Sequence, residues 1–141
     1  MATYTSLLGL SLPTTGTLAG TWGDEINTAI TALVETAIAG ATTLTVDADT
    51  TLSTTNGVAN QARSAVILWT ATGSATRAIT APARSKVYIV ANKTGGTQAI
   101  TFRGAGPTTG VTIPAGFSAL LAWNGSDFVT IANNISSGGT F

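Results

Sequence analysis

A helical hydrophobic pattern marks residues 21–40, and the rest of the chain divides around it. Its apolar residues from Ile26 onwards are spaced four, three and four residues apart, and one more lies four residues earlier. Together they form one face of a helix, the apolar stripe: Trp22, Ile26, Ile30, Leu33 and Ala37. Thr21 and Asp24 resemble a capping box at the N-terminus of this segment. Gly40 can adopt the left-handed conformation that commonly ends helices. The pattern therefore predicts one short α-helix over residues 21–40.

Beyond the helix the pattern changes to short apolar runs separated by Gly, Pro and Asn. The clearest runs span residues 65–70, 86–91, 98–103, 118–123 and 128–131. Asn124-Gly125 lies between the last two and is a strong hairpin signal. Short strands at a spacing of roughly ten residues predict a mainly β fold, a compact antiparallel β-sandwich or barrel-like domain over residues 41–132. The sequence shows no convincing internal repeat.

The run at residues 65–70 is apolar without interruption up to its final threonine, and the run at residues 86–91 is apolar after Lys86. An unbroken apolar strand is typical of burial on both faces of a sheet, so we expect both faces of the first strand to be covered, and we expect the second to be a buried strand as well. The large aromatic residues lie within the strand patterns, and we expect them in the core rather than in a sugar-binding platform: Trp69, Tyr88, Phe102, Trp123 and Phe128.

The segment before the helix, residues 1–20, is rich in Thr, Ser and Gly, and Pro13 and Gly16 argue against a helix there. It carries four leucines: Leu7, Leu8, Leu10 and Leu12. We predict an extended anchoring arm whose leucines dock on a partner. The alternative is an unanchored terminus. At the other end, residues 133–141 form a Gly/Ser-rich tail.

The composition favours an assembly. Only 9% of the residues are charged and 44% are apolar, whereas a soluble domain carries roughly 25% charged residues. Threonine, at about a fifth of the chain, suits strands and turns. Because a free monomer usually keeps a charged surface, so few charges indicate that part of the surface is hidden in a complex.

The net charge is zero, but the two signs are separated along the chain. All the acidic residues except Asp127 precede residue 50, and all the basic residues lie between Arg63 and Arg103. This separation has two interpretations, chance at low counts or complementarity between subunits. No basic patch is dense enough to indicate nucleic-acid binding, and no apolar run is long enough to predict a membrane span.

The residue types argue against catalysis. The sequence lacks His and Cys, which excludes Ser-His and Cys-His nucleophiles and thiolate metal sites. The acidic pair Asp24 and Glu25 is explained by the positive end of the helix dipole. Asp47 and Asp49 have too few oxygens for a good Ca²⁺ site and suit a turn. We therefore expect neither enzymatic activity nor a cofactor or metal.

Most of the sequence resembles structural proteins of tailed bacteriophages. The similarity is strongest over residues 12–27, LPTTGTLAGTWGDEIN, where a Pro/Gly-containing arm precedes a G-T-W-G-D element, and the helix ends in A-I-A-G at residues 37–40. Residues 85–90 and the W-N-G-S-D element at residues 123–127 are also similar to the strands and final hairpin of such proteins. The resemblance covers roughly residues 12–131.

The resemblance implies a trimeric component of a virion, located on the head or the tail. With it, the helical stripe is predicted to form the central seam of a homotrimer, because its spacing fits a coiled coil; packing of the stripe on the chain's own β-domain is the alternative. We expect a capsid decoration, cement or short head-fibre protein whose arm docks on other virion proteins. The alternative is a tail-fibre module that binds a host surface receptor such as a glycan.

Overall fold

The computed structural model describes residues 3–131, and the predicted tail at residues 133–141 lies outside the described residues. The predicted mainly β fold with one helical segment and a compact β-domain is confirmed. The strands have these bounds: β1 Thr3–Tyr4, β2 Ser11–Leu12, β3 Ala41–Leu44, β4 Thr50–Thr51, β5 Val66–Trp69, β6 Arg77–Ala81, β7 Val87–Asn92, β8 Ile100–Gly104, β9 Val111–Ile113, β10 Ser118–Trp123 and β11 Phe128–Thr130.

The helical segment occupies the predicted range but is not α-helical throughout. Helix α1 spans Trp22–Ile26, a π-helical segment follows over Asn27–Thr31, and helix α2 spans Ala32–Ala39. The side chain of Thr21 makes no capping hydrogen bond, so the capping box expected at this end is not formed. A separate 3₁₀ turn, Gln61–Arg63, contacts α2.

Gly40 ends the helix for a different reason from the one expected. Its backbone is extended, with φ −74° and ψ 150°, and not left-handed. A Cβ atom at this position would lie 2.5 Å from the carbonyl oxygen of Thr36, so close approach of the backbone requires glycine here. The carbonyl oxygen of Gly40 accepts hydrogen bonds from the backbone N–H groups of Ala65 and Val66, which ties the helix end to the start of β5.

An extended N-terminal arm is not observed. Strands β1 and β2 pair as an antiparallel hairpin in which Thr3 lies opposite Leu12. The hairpin tip is held on the β-domain, because the carbonyl oxygen of Gly9 accepts a 2.7 Å hydrogen bond from the backbone N–H of Gly57. Gly9 has a positive φ of 62° and is buried against Asn56. The first part of the predicted arm is therefore a folded part of the domain.

Two sheets form the β-domain, and the chain alternates between them. The five-stranded sheet has the order β11-β10-β7-β5-β3, and the four-stranded sheet has the order β4-β6-β8-β9. From β3 to β8, odd-numbered strands enter the first sheet and even-numbered strands the second. The domain is thus a two-layer sandwich whose core lies between the sheets.

This alternation makes the pairing parallel in the first part of the domain, which corrects the expectation of wholly antiparallel sheets. Strand β5 pairs in parallel with β3 and β7, and β6 pairs in parallel with β4 and β8. Val66 lies beside Ile89 and Arg77 beside Ile100, so the chain returns to each sheet after 23 residues. The structure therefore contains a repeat of topology that the sequence does not display as a repeat of residues.

The C-terminal part is antiparallel, as predicted. Strand β9 pairs with β8, and β10 pairs with both β7 and β11. The Asn124-Gly125 hairpin is present, with a loop between the paired residues Trp123 and Phe128. The side-chain Oδ1 of Asn124 accepts hydrogen bonds from the backbone N–H groups of Ser126 and Asp127, which closes the turn.

The core between the sheets is aromatic at its centre. Tyr88, Phe102 and Phe128 form a cluster whose ring centroids are 5.1–5.5 Å apart. Trp69 is fully buried beside them, and Trp123 is partly buried against Phe128. The prediction that these five aromatic residues belong to the core is confirmed.

Candidate interaction surface

The predicted helical stripe is not a uniform surface in the folded chain. Trp22 is 62% exposed, whereas Leu33 is 3% exposed and already has its packing partners within the chain. Ile26, Ile30 and Ala37 are half-buried. Leu33 is therefore not available for the proposed seam and instead packs on its own chain, as in the alternative prediction. The assignment of the other four residues to an interface stays a prediction.

The π-helical segment explains why the stripe is divided. A π turn closes hydrogen bonds between residues five apart and so holds more residues per turn than an α-helix. Positions after Thr31 are consequently rotated about the helix axis relative to positions before Asn27. Ala29, which is not part of the predicted stripe, is buried together with Leu33.

The four leucines assigned to partner docking are distributed over both sides of the N-terminal hairpin. Leu7 and Leu12 are 58% and 48% exposed. Leu8 and Leu10 are half-buried. The carbonyl oxygens of Leu7 and Leu8 accept hydrogen bonds from Arg84 and Arg63, so the backbone of this segment binds its own domain. Docking of the exposed leucines on a partner stays a prediction.

A further surface feature was not predicted: the outer face of the five-stranded sheet is mostly apolar. Side chains on this face alternate with those that enter the core. We call it the apolar sheet face; its described members are Ala41, Thr43, Val66, Leu68, Val87, Ile89, Ala91, Ser118, Leu120, Ala122, Val129 and Ile131. One row runs across all five strands and consists only of apolar residues, Ala41, Val66, Ile89, Leu120 and Ile131.

None of the described residues on this face is charged. The part formed by β7, β10 and β11 is open to solvent, with Val87, Ile89, Leu120, Val129 and Ile131 between 39% and 49% exposed. Full burial of such a side chain is worth roughly 1.5–3 kcal/mol, so covering the exposed half of each would contribute about 1 kcal/mol. Contiguous apolar surface of this kind is typical of an interaction site.

The outer face of the four-stranded sheet has the opposite character. Thr101 and Thr112 lie opposite each other there, with their hydroxyl oxygens 3.2 Å apart. Arg103 lies beside Thr80, and its Nε donates a hydrogen bond to the Thr80 hydroxyl. A sheet with one solvated face normally shows this polar outer surface. The two sheets of the sandwich are therefore suited to different environments.

A sequence signal for the apolar sheet face exists in the run at residues 86–91, which predicts a buried strand. Among the described residues, however, only one face of β7 is covered, and Val87 and Ile89 on the other face are exposed. The prediction of a buried strand is therefore wrong at these two positions. Their exposure identifies the surface.

The acidic pair in the turn after β3 has structural partners. The carboxylate of Asp47 accepts hydrogen bonds from Arg77 and Gln98, and Arg77 above all lowers the pKa of Asp47. Asp49 accepts a 2.9 Å hydrogen bond from the backbone N–H of Ala78. Within residues 3–131, no three His, Cys, Asp or Glu side chains form a group that could hold a metal ion.

Comparisons with protein-family models, with curated proteins and with solved structures found no match for the chain. Among the described residues, no helix is both long enough and apolar enough to cross a membrane. The candidate site therefore rests on the chemistry of the apolar sheet face and on the helical segment.

Proposed function

We propose that this chain is a non-enzymatic structural protein of a tailed-phage virion that assembles as a homotrimer. In this role it decorates or cements the capsid or forms a short head fibre. The observation that carries the proposal is the apolar sheet face, since it is uncharged and half-exposed at Ile89 and Leu120 in the single chain. Such a surface is suited to permanent burial in an assembly.

Charge and composition support self-association rather than binding of a charged partner. The chain has a net charge of zero and few charges, so identical copies do not repel each other strongly. The helical segment adds exposed apolar residues, Trp22 and Ile38, outside the apolar sheet face. The threefold order and the virion location are what the resemblance over residues 12–131 implies.

Two measurements test this proposal. Light scattering of the purified chain at tens of micromolar should give three times the chain mass of 14.1 kDa. Mass spectrometry of purified virions from the phage that encodes the chain should recover it in a fixed ratio to the capsid protein. A monomer in solution that is also missing from purified virions would overturn the proposal, whereas a monomer that is present in virions would overturn only the homotrimer.

A further inference from the structure

A small cavity lies between the N-terminal hairpin and the start of β7. Its volume is about 40 Å³, and its walls include Arg63, Arg84, Lys86 and Tyr88. One water molecule requires roughly 10–15 Å³ of such space, so the cavity admits a group of about three atoms, the size of a carboxylate. The site does not overlap the apolar sheet face.

The charge around this cavity is uncompensated. Three basic side chains line it, and none of its lining residues is acidic. The only ion pair among residues 3–131 joins Arg77 to Asp47, which are not among those lining residues. Burial of positive charge without a counter-ion is unfavourable, and a bound anion would relieve that cost.

Each of the three cations is hydrogen-bonded only to neutral groups. Arg63 donates to the carbonyl oxygens of Leu8, Val58 and Thr55. Lys86 donates to the carbonyl oxygen of Ser64 at 2.8 Å. Carbonyl oxygens satisfy the donors but do not neutralise the charge. Burial consequently lowers the pKa of Lys86 to about 8 and also lowers that of Arg63.

One donor in this cluster lacks any partner. Arg63 is 3% exposed, and its Nε is buried without a hydrogen-bond acceptor among the described residues. A buried donor in a folded protein is normally paired, so the unpaired Nε adds to the cost of burying this guanidinium. A role limited to holding the hairpin explains the contacts of the Arg63 and Arg84 Nη atoms, but it does not explain the uncompensated charge of Lys86 in the same cavity wall.

We propose that this cavity binds a compact oxyanion, a carboxylate or a phosphate, through Arg63, Arg84 and Lys86. The anion supplies the counter-charge, and Arg84 and Lys86 each have N–H donors to offer it beyond those that already bind carbonyl oxygens. It is either a free small molecule or the acidic group of a binding partner. This inference is independent of the proposed virion role.

Titration of the full-length chain with inorganic phosphate and, separately, with acetate tests the site, with chloride holding the ionic strength constant. The backbone NMR resonances of Arg84 and Ser85 and the side-chain resonances of Lys86 report binding. We expect a saturable shift with at least one anion. Saturation by acetate identifies a carboxylate site, and saturation by phosphate alone identifies a phosphate site.

Three charge-removing variants make the test specific. Arg84→Gln and Lys86→Gln should each weaken binding about tenfold, the low end for a hydrogen bond to a charged group. Lys93→Gln, an exposed lysine outside the cavity, is the matched control and should bind as the original chain does. The proposal is overturned if neither anion gives a saturable shift, or if the double variant of Arg84 and Lys86 binds as tightly as the control.

Discussion

Ile89 on β7 and Leu120 on β10 lie opposite each other across an antiparallel pair, and both point away from the core. Their neighbours one residue away, Tyr88 and Leu121, form the equivalent pair on the inner face and are fully buried. The same two strands therefore present an apolar surface in both directions. Within residues 3–131, only one of these surfaces is covered.

A charge placed on the apolar sheet face should prevent assembly. Leu120→Asp puts a carboxylate at the centre of the face, and its desolvation in a packed interface costs several kcal/mol. We expect light scattering to give a monomer with an unchanged far-ultraviolet circular dichroism spectrum, because Leu120 is 42% exposed in the single chain. The matched control is Thr112→Asp on the polar face of the other sheet. Equal masses for the two variants would contradict the assignment.

The two ends of the helical stripe should respond differently to truncation. Leu33→Ala removes a fully buried side chain, so we expect a loss of about 2–5 kcal/mol in the free energy of unfolding. Trp22→Ala alters an exposed side chain and should leave the stability of the single chain within about 0.5 kcal/mol. Urea unfolding under monomeric conditions distinguishes them. A large loss for Trp22→Ala would mean that this residue packs within its own chain.

Removal of the N-terminal hairpin should weaken the β-domain. Deletion of residues 2–12 removes the carbonyl acceptors that Arg63 and Gly57 use. Each buried donor left unpaired costs about 1–3 kcal/mol, so we expect a folded but clearly less stable domain in urea unfolding. Leu12→Ala, at a 48% exposed position, is the control with little expected effect. An unchanged unfolding midpoint after the deletion would restore the interpretation of this segment as a separate arm.

Asp127 should be the most important carboxylate for stability at acid pH. Its two oxygens accept hydrogen bonds from the backbone N–H groups of Gly104, Thr109, Gly110 and Phe128. Burial alone would raise the pKa of Asp127, but these four bonds together lower it. The pKa of this carboxyl is therefore lower in the folded state than in the unfolded state. Its contribution to the free energy of unfolding is present above about pH 4 and is lost as the pH falls below about 4.

Asp127→Asn tests this contribution. The amide retains one acceptor oxygen but presents N–H groups to two of the four donors, so we expect a loss of about 2 kcal/mol at neutral pH. The unfolding free energy of the variant should also depend less on pH between about 5 and 2. Asp49→Asn is the control, since that carboxylate accepts one backbone hydrogen bond. Parallel pH profiles for the original chain and Asp127→Asn would refute the assignment.

Lys86 should make the protein more stable as the pH rises above 8. Its ammonium lies 3.9 Å from the centroid of the Tyr88 ring, with Arg84 and Arg63 lining the same cavity. The pKa of Lys86 is lowered to about 8 in the folded state, so between pH 8 and about 10 the unfolded state binds more protons and stability increases with pH. Partial exposure limits the gain to about 1–2 kcal/mol.

Lys86→Met removes this titration while keeping an unbranched side chain that is only one atom shorter. We expect a flat stability profile between pH 8 and about 10, and a stability at pH 7 at or above that of the original chain. Above about pH 10, burial raises the pKa of Tyr88, so both proteins should lose stability there as the unfolded tyrosine ionises. A rise with pH that persists in Lys86→Met would assign the titration to another group.

Local sequence patterns predicted the helical segment, the later strands and most of the core. The helix over residues 21–40, the later strands and the turn at Asn124-Gly125 follow from periodicity and turn chemistry, which act over a few neighbouring residues. The burial of Trp69, Tyr88 and Phe102 follows from their size and their place in the strand patterns. These properties are local, so the sequence displays them directly.

The pairing of the strands, the division of the helix and the position of the open surface depend on contacts between distant parts of the chain. The parallel partners Val66 and Ile89 are 23 residues apart, and no local pattern specifies such a contact. The π-helical segment closes its hydrogen bonds one residue further along the chain than an α-helix does, and the spacing of Ile26, Ile30 and Leu33 does not reveal this. An apolar strand sequence predicts that both faces of the strand are buried. Which other elements pack on those faces depends on the rest of the fold. For Ile89 and Leu120, that packing is absent from the single chain described by residues 3–131.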